Sequence, residues 1–475
     1  MERLTPDICV IGGGAAGLSV AAAAAAFGVD TVLVEKSRLG GECLHTGCVP
    51  SKALLAAAKR AAELGDSDAF GVHVSDVRVD FAKVMAHVRA TIAAVARADS
   101  PERFRGLGVR VVEGMARFKD RRTVSAGEEL EISARRFVVA TGSTPAVPPI
   151  PGLHEGAYFT NETIFGLTEL PKHLVVIGAG ATGLELAQAF LRLGSRVTVV
   201  DEGPALAQND AECADVVLAQ LEREGMTIRT GVTVIRIAHA VGHVGVTIEH
   251  DGKEEMVGGS HLLLAAGRKP VVDGLDLKAA GIRYEERGIA VNRKLKTSNS
   301  RAYAIGDAAA GQPRFTHAAS YQAGLIIRNA LFRLPVRSDP DLIPHVIFTD
   351  PELAQTGLTE AQARARGMTI RIQRWPYHDN DRAQAERKSY GHIKVIADPK
   401  GRILGATIVG PEAGELITAW TLAIAQGLTL RNFVDLVVPY PTLSEIGRRA
   451  ALGFFVPRLT QPLLRRIIGV LRSFG

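Results

Sequence analysis

Two cysteines near the N-terminus are the residues whose types and spacing point most directly to chemistry. Cys43 and Cys48 lie in residues 40–52, together with Gly47 and Pro50. Five residues of regular helix rise about 7.5 Å, more than the usual Cα separation of a disulfide, so pairing these thiols requires an irregular turn. Gly47 and Pro50 favour such a turn, and a thiol at a helix start has a lowered pKa. The spacing predicts a redox-active pair, with two unrelated buried cysteines as the alternative.

The elements that must position this pair belong to an internal repeat. Residues 7–35 and 173–201 align at a constant offset of 166 positions. Each copy contains an apolar strand, a G-x-G-x-x-G turn, a helix and a β-branched strand that ends in an acid. The aligned pairs are Gly12 with Gly178, Gly14 with Gly180, Gly17 with Gly183 and Glu35 with Asp201.

This repeat has the composition of a dinucleotide-binding unit. Its glycines allow the backbone to approach a pyrophosphate at a helix N-terminus, and its terminal acid is placed to bind ribose hydroxyls. Beyond Pro340 the pattern changes to strands alternating with helices. We therefore predict an α/β protein with two Rossmann-like dinucleotide-binding domains and a C-terminal α+β domain.

In this order, the motifs resemble the class I pyridine nucleotide-disulfide oxidoreductases, the flavoprotein family of glutathione reductase, dihydrolipoamide dehydrogenase and mercuric reductase. The resemblance covers residues 6–447. It implies an FAD-dependent enzyme in which electrons pass from a nicotinamide cofactor through the flavin to a Cys43–Cys48 disulfide. Cys48 would then be the sulfur against the flavin, and Cys43 the sulfur that attacks the substrate.

The resemblance also implies which residues bind the cofactors. The first glycine-rich unit is expected to bind FAD, and the second NAD. Thr141 and Gly142, after a β-branched strand, and Asp307 of the Tyr-Ala-Ile-Gly-Asp motif are expected to complete the FAD site. His317 is expected at a helix start near the flavin, with a purely structural role as the alternative.

Lys52 and Glu185 match a lysine beside the flavin ring and its acidic partner. The repeat supports this independently, because Glu185 aligns with Ser19 on a helix that otherwise carries small apolar residues. A buried glutamate is expected to be paired. The alternative for Glu185 is an exposed helix charge.

The resemblance divides the chain into domains. The expected boundaries are 1–150 and 271–340 for the two parts of the FAD-binding domain, 151–270 for the NAD-binding domain, 341–455 for a dimerisation domain, and 456–475 for a basic C-terminal helix. A homodimer is therefore expected.

One motif departs from the disulfide reductases of the family. Their His-Pro-Thr-x-Ser-Glu sequence, whose histidine serves the partner subunit as acid and base, is replaced here by residues 440–445, which begin with Tyr440 and end with Glu445. A phenol has a pKa of about 10 and shuttles protons poorly at neutral pH. Ordinary dithiol exchange should therefore be slow, and the tyrosine is similar to that of the mercuric reductases.

This departure leaves the electron acceptor open. A metal ion, an unusual disulfide or a quinone-like small-molecule oxidant is expected, although the vicinal cysteine pair near the C-terminus of mercuric reductases has no counterpart here. Cys43 and Cys48 could bind a soft ion during reduction, but no resident metal site is predicted. The alternatives are a dihydrolipoamide dehydrogenase-like enzyme and, from another class, a redox-sensing or membrane-associated flavoprotein with little turnover.

Asp201 bears on the choice of nicotinamide cofactor. A carboxylate at this position binds the ribose of NADH and repels the 2′-phosphate of NADPH. The sequence therefore predicts a preference for NADH.

The positive charge of the chain is concentrated at its C-terminus. The formal net charge is +6, and residues 446–475 contain six arginines and no acid. The rest of the chain is neutral overall, so a nucleic-acid partner is not expected. In residues 462–474 the apolar side chains share one helix face, which predicts a helix that docks on its own dimer or on a membrane surface or protein partner. No signal peptide is recognisable, so we expect a cytoplasmic protein, peripheral to the membrane if this helix binds lipid.

Overall fold

The computed structural model describes residues 2–154, 156–459 and 462–474. The chain forms two compact units. The first contains Met1–Glu202 and Gly231–Pro340, and the second contains Gly203–Thr230 and Asp341–Gly475.

The first copy of the repeat forms a parallel sheet. The strands up to residue 139 are β1 (Glu2–Leu4), β2 (Ile8–Ile11), β3 (Thr31–Glu35), β4 (Arg110–Glu113), β5 (Ala116–Phe118), β6 (Val124–Ala126), β7 (Leu130–Ile132) and β8 (Arg136–Val139). The helices are α1 (Ala15–Ala26), α2 (Gly41–His45), α3 (Cys48–Gly65), α4 (Phe81–Ala96) and α5 (Pro101–Gly106). Strand β2 lies between β3 and β8 and is buried along its whole length, as its uninterrupted apolar sequence predicts.

The second copy repeats this arrangement. The next strands are β9 (Ser143–Pro145), β10 (His173–Ile177), β11 (Arg196–Asp201), β12 (Thr227–Thr230), β13 (Thr233–Ala240), β14 (His243–His250), β15 (Lys253–Gly259), β16 (His261–Leu264) and β17 (Arg268–Pro270). The helices are α6 (Ala181–Arg192) and α7 (Ala211–Arg223). Strand β10 pairs in parallel with β11 and β16, just as β2 pairs with β3 and β8. Strands β13 to β15 form an antiparallel sheet of their own.

The chain then returns to the first sheet. This segment contains β18 (Tyr284–Glu285), β19 (Gly288–Ile289), β20 (Ala302–Ala304) and α8 (Thr316–Ala330). Strand β20 pairs in parallel with β8, which completes a five-stranded sheet of order β20-β8-β2-β3-β4. Helix α8 packs against α1 in the core of this unit. Two separate stretches of sequence thus build one dinucleotide-binding fold.

The second unit is built around an antiparallel sheet of order β21-β22-β25-β24-β23. Its strands are β21 (His345–Ile347), β22 (Glu352–Gly357), β23 (Arg371–Pro376), β24 (His392–Ala397) and β25 (Ile403–Gly410). Its helices after residue 340 are α9 (Glu360–Ala365), α10 (Asp381–Ala385), α11 (Ala413–Ala425), α12 (Leu430–Asp435), α13 (Glu445–Gly453), α14 (Val456–Leu459) and α15 (Pro462–Leu471). The predicted fold class is confirmed. Within the residues that the structure describes, no helix is long and apolar enough to cross a membrane.

Candidate active site

The first and third glycines of the first turn occupy positions where a Cβ would clash with the backbone. Gly12 has φ +105°, and a Cβ there would lie 2.3 Å from the carbonyl oxygen of Ala140. A Cβ on Gly17 would lie 1.8 Å from the carbonyl oxygen of Gly12. Helix α1 therefore packs closely on β2, and its N-cap residue, Gly14, provides no side-chain cap for the first-turn N–H groups.

The second turn has the same geometry at the aligned positions. Gly178 has φ +114°, and a Cβ there would lie 2.4 Å from the carbonyl oxygen of Ala265. Gly183 repeats the contact of Gly17, and Gly180 is again an N-cap residue without a side-chain cap. Because uncapped N–H groups at a helix N-terminus bind phosphate, both turns fit a dinucleotide.

The two terminal acids bind the backbone of their own turns. Glu35 Oε2 accepts a hydrogen bond from the N–H of Gly13 at 2.5 Å. Asp201 Oδ2 accepts one from the N–H of Ala179 at 2.6 Å. The two hydrogen bonds lie at aligned positions of the repeat. In each copy the bond holds the carboxylate beside its own turn, where a nucleotide would bind. Sequence reasoning predicted the position of these acids but not these bonds.

Three further residues expected at the first cofactor site follow the neighbouring strands β8 and β20. The hydroxyl group of Thr141 donates a hydrogen bond to the carbonyl oxygen of Val271 at 2.6 Å. Gly142 has φ +71°. Asp307 Oδ2 accepts a hydrogen bond from Ser143 Oγ at 2.5 Å. The carboxyl ends of parallel strands meet at one sheet edge, so these residues lie at the edge where the β2 turn also lies.

The two cysteines lie on either side of a helix break. Helix α2 ends at His45 and α3 begins at Cys48. A Cβ on Gly47 would lie 3.3 Å from the Cα of Cys43, so the residue between the helices is tightly packed against the first cysteine. Both cysteines are free thiols in the structure.

The two thiols differ in their proton affinity. A hydrogen bond from Cys43, reinforced by Thr316 and by the charge of Lys52, lowers the pKa of Cys48 to about 6. The same hydrogen bond, together with burial, raises the pKa of Cys43. Cys48 Sγ also lies 3.5 Å from Thr316 Oγ1. The surroundings therefore favour the thiolate at Cys48 and the thiol at Cys43.

Lys52 and Glu185 form an ion pair between α3 and α6. Lys52 Nζ lies 2.7 Å from Glu185 Oε2. The glutamate is 5% exposed, and the lysine side chain is partly exposed. The ion pair thus joins Lys52, which comes after the first glycine-rich turn in the sequence, to α6, the helix that follows the second glycine-rich turn. It also places a positive charge near the thiolate of Cys48.

A polar cluster that sequence reasoning missed lies next to the cysteines. Glu42 Oε1 accepts a hydrogen bond from Asn161 Nδ2 at 2.7 Å, and the same amide group donates to the carbonyl of Thr46 at 3.0 Å. Arg268 Nη2 is hydrogen-bonded to Glu42 Oε2. The cluster thus anchors the helix break between the cysteines to two distant segments of the chain.

The arginine of this cluster also faces a second carboxylate. Arg268 Nε donates to Ser143 Oγ at 2.7 Å and lies 3.7 Å from Asp307 Oδ2. Burial raises the pKa of Glu42 to about 7, although the charge of Arg268 opposes this increase. The position of Glu42 directly before Cys43 was a signal that could have drawn attention to it.

His317 is the second residue of α8 and is exposed. Its ring stacks on Phe315 with the centroids 5.4 Å apart. The residue before it, Thr316, contacts Cys48 and was not singled out from the sequence.

Tyr440 and Glu445 lie in the second compact unit. Tyr440 is 71% exposed, and its hydroxyl donates a hydrogen bond to Asp381 Oδ2 at 2.8 Å. This bond raises the pKa of Tyr440, with a smaller contribution from Glu445, the first residue of α13. In the described part of the chain, no group of three or more His, Cys, Asp or Glu side chains is arranged to hold a metal ion.

Comparison with known families identifies the arrangement. The model described as pyridine nucleotide-disulphide oxidoreductase matches residues 6–323. The chain belongs to this family. The dimerisation domain of the same family matches residues 343–451, which supports a homodimer. The chain is therefore an enzyme, a flavoprotein disulfide oxidoreductase that binds FAD and a pyridine nucleotide, as the sequence predicted.

Relatives within the family have different acceptors. The chain is 35% identical to the mercuric reductase of Bacillus cereus over 94% of this chain and 71% of the relative. It is 36% identical to the dihydrolipoyl dehydrogenase of Thermus scotoductus over 93% and 95% of the two chains. Among solved structures, the Cu(II) complex of the HOCl-induced flavoprotein disulfide reductase RclA from Escherichia coli superposes with a TM-score of 0.83 at 27% identity, covering 95% of this chain and 99% of that one.

Proposed function

We propose that the enzyme passes electrons from NADH through FAD to the Cys43–Cys48 pair and from there to a thiophilic metal ion. FAD would be held by the first turn (Gly12, Gly14, Gly17), by Glu35, and by Thr141, Gly142 and Asp307, and NADH by the second turn (Gly178, Gly180, Gly183) and Asp201. When bound, FAD supplies two-electron transfer between the nicotinamide and the disulfide.

The thiols are already differentiated for this role. Cys48, stabilised as a thiolate, is the sulfur that we assign to the flavin side. Cys43 holds the proton and is the sulfur that we assign to the acceptor. Lys52, held in place by its ion pair with the buried Glu185, lies with its positive charge near Cys48. A pair of cysteine sulfurs at one helix break is suited to a soft ion, since thiolates select soft metals.

The choice of a metal ion as acceptor rests on the presence of a tyrosine at position 440. Disulfide acceptors require proton transfer to the leaving thiol, and a group that titrates near neutrality speeds such steps by about 10² to 10⁴. Asp381 raises the pKa of Tyr440 and thereby makes it a weaker acid. A metal ion bound by thiolates needs no proton for its reduction. The absence of an imidazole at position 440 therefore does not slow the reduction of a metal ion.

A panel of acceptors tests the proposal. The FAD-loaded enzyme would be assayed for NADH oxidation with Hg(II), Cu(II), lipoamide, glutathione disulfide and a quinone. We expect turnover with Hg(II) or Cu(II) that is lost in Cys43→Ser and Cys48→Ser and kept in Cys213→Ser, a buried cysteine of the second unit. Metal turnover that survives Cys43→Ser, or a faster rate with lipoamide, would contradict the proposed acceptor.

A dihydrolipoamide dehydrogenase is the second candidate. The relative from Thermus scotoductus favours it, as does the retained sequence Pro441-Thr442 with Glu445. In that case the acceptor panel would show lipoamide as the fastest substrate, with Tyr440 acting in an unconventional way.

A further inference from the structure

A buried asparagine is hydrogen-bonded to the helix break between the two cysteines. Asn161 is 8% exposed. Its side-chain NH₂ group donates to Glu42 Oε1 at 2.7 Å and to the carbonyl oxygen of Thr46 at 3.0 Å. Glu42 directly precedes Cys43, and Thr46 is the C-cap residue of α2, two positions before Cys48. One side chain from a distant part of the sequence therefore contacts the segment that joins the two cysteines.

A third contact fixes the orientation of this side chain. Asn161 Oδ1 accepts a hydrogen bond from Arg268 Nη1 at 3.5 Å. A guanidinium group can only donate, whereas a carboxylate and a carbonyl group can only accept. The NH₂ group must therefore face the break, and the amide oxygen must face Arg268. The opposite orientation would bring the amide oxygen against the oxygens of Glu42 and Thr46.

The backbone that carries Asn161 is itself held in place. Phe159, two positions earlier, forms two backbone hydrogen bonds with β16, at 2.7 and 2.8 Å. Thr160 begins a tight turn, in which its carbonyl oxygen accepts a hydrogen bond from the N–H of Ile164 at 2.9 Å. Asn161 therefore projects from a turn that is anchored to the sheet of the second copy. A side chain supported in this way can hold the group that it contacts in a defined position.

The position of the break decides how readily the disulfide closes. A disulfide forms only over a narrow range of Cα separations and side-chain directions. The last carbonyl groups of a helix have no partners within the helix, and the carbonyl group of Thr46 at the end of α2 receives its hydrogen bond from Asn161. Two thiols that are held in the right geometry react as if they were highly concentrated. Contacts that restrain the break in the reduced form should therefore favour the disulfide.

We propose that Asn161 is a positioning residue that holds the break between α2 and α3 in the conformation that favours the Cys43–Cys48 disulfide. The inference rests on the proposed function, which assigns these two cysteines as the redox pair. On reduction the S–S bond breaks, and the hydride of NADH supplies two electrons and the proton of the Cys43 thiol, which leaves a thiolate at Cys48 and NAD⁺.

The contacts of Asn161 matter more in the reduced form than in the oxidised form. In the oxidised form the S–S bond already restrains the break. In the reduced form this bond is absent, and the hydrogen bonds to Glu42 and Thr46 limit the movement of the break. Loss of these hydrogen bonds therefore gives conformational freedom mainly to the reduced form and makes the disulfide easier to reduce.

The redox equilibrium of the cysteine pair tests this inference. The FAD-loaded enzyme would be equilibrated without oxygen in mixtures of reduced and oxidised dithiothreitol at one fixed pH. After an acid quench and alkylation, mass spectrometry would give the fraction of enzyme in which Cys43 and Cys48 are joined. In Asn161→Ala we expect the equilibrium constant for disulfide formation to fall about tenfold, equivalent to a potential about 30 mV higher.

A second variant keeps the volume of the side chain. Asn161→Asp replaces the NH₂ group with an oxygen that faces the oxygens of Glu42 and Thr46. It should therefore lower the equilibrium constant for disulfide formation at least as much as Asn161→Ala does.

Asn299 provides the matched control within the same compact unit. It is 1% exposed, and its NH₂ group likewise donates two hydrogen bonds, to the carbonyl oxygens of Arg121 at 3.0 Å and Ala280 at 3.1 Å. Neither partner belongs to the break. Asn299→Ala should therefore lower the melting temperature, as Asn161→Ala does, but leave the redox equilibrium of the cysteine pair unchanged.

The possible outcomes separate the inference from the proposed function. An unchanged equilibrium constant in both Asn161 variants, or an equal decrease in Asn299→Ala, would overturn the inference alone. A wild-type enzyme in which Cys43 and Cys48 never form a disulfide would overturn the assignment of the redox pair, and the inference with it. Since dithiothreitol replaces the final acceptor, failure of the metal-ion proposal would show in the acceptor panel alone.

Discussion

At the scale of single residues, the surroundings of the two cysteines give them different proton affinities. Cys48 begins α3, receives the hydrogen bond of Cys43 and lies near Lys52 and Thr316. Cys43 lies on the short α2, where burial and the hydrogen bond to Cys48 keep its proton in place. This asymmetry follows from the helix break, because a continuous helix would place the two sulfurs too far apart to share a proton.

The first prediction concerns the thiolate of Cys48. Anaerobic reduction by NADH should produce a long-wavelength charge-transfer absorbance between this thiolate and the flavin. The pKa of Cys48 is lowered from 9.0 to about 6, so the absorbance should be present at neutral pH and fade as the pH falls through about 6. Cys43→Ala removes the main stabilising hydrogen bond and should move this midpoint to higher pH. If Cys48→Ser keeps the band, the two roles are reversed.

The second prediction concerns Asp201. Its carboxylate is held at the second turn by the N–H of Ala179, and one unfavourable charge contact with a 2′-phosphate corresponds to ~1.4 kcal/mol or more. The ratio of kcat/KM for NADH to that for NADPH should therefore be at least about tenfold. Asp201→Asn keeps an oxygen for the Ala179 N–H and should reduce this ratio, whereas Glu202→Gln is the neighbouring control. Equal kcat/KM values in wild type would refute the assignment.

At the scale of elements, the ion pair of Lys52 and Glu185 connects α3 with α6. Removing one partner leaves the other without its counter-charge in a partly buried site, which costs about 1–3 kcal/mol after allowance for the exposure of the lysine. Glu185→Gln should therefore lower the melting temperature of the FAD-loaded enzyme. Glu63→Gln, at the more exposed pair with Arg60 on the same helix, should change it much less. Similar decreases in melting temperature in the two variants would indicate that the Lys52–Glu185 pair contributes no more to stability than the exposed pair does.

The elements also show what could be predicted from the sequence. The two nucleotide-binding copies were predictable because their glycines, strands and terminal acids recur at one offset, and their contacts recur with them. The contacts of Glu42 were not predictable in this way, since its partners Asn161 and Arg268 lie 119 and 226 residues away. Neither partner has a local pattern that indicates this contact. Thr316 is similar, because its contact with Cys48 arises only when α8 packs beside the cysteines.

At the scale of the whole molecule, dimerisation determines what Tyr440 can do. From the family resemblance we expect this position, with Glu445, to lie at the active site of the partner subunit. Tyr440→His should raise the turnover of lipoamide or small disulfides by up to about 10²-fold, because an imidazole titrates near neutrality. The rate of flavin reduction by NADH should stay unchanged, since it precedes the thiol chemistry.

Tyr440→Phe is the control for this substitution, because it removes the bond to Asp381 without adding a titrating group. Its disulfide turnover should remain as low as that of wild type. A wild-type lipoamide turnover of about 10² per second, well within the usual range of enzymes, would show that the tyrosine does not limit dithiol exchange.

The last prediction concerns the C-terminal helix. Helix α15 lies beyond residues 343–451 of the matched dimerisation domain, and its apolar face is open in the isolated protomer, with Leu463 69% exposed and Leu471 61% exposed. We expect the partner subunit to cover this face. Each apolar side chain fully buried in this way contributes about 1.5–3 kcal/mol. Removing residues 456–475 should therefore weaken dimerisation at least about tenfold in a dilution series followed by light scattering.

Single substitutions separate the apolar face from the rest of this helix. Ile467→Glu should reproduce the effect of the truncation, whereas Gly469→Glu, on the opposite face of α15, should not. The arginine-rich composition of residues 446–475 makes an anionic membrane the competing partner, because basic amphipathic helices bind such surfaces. If the truncated enzyme dimerises normally and only the full chain sediments with anionic vesicles, the helix contacts lipid rather than the second subunit.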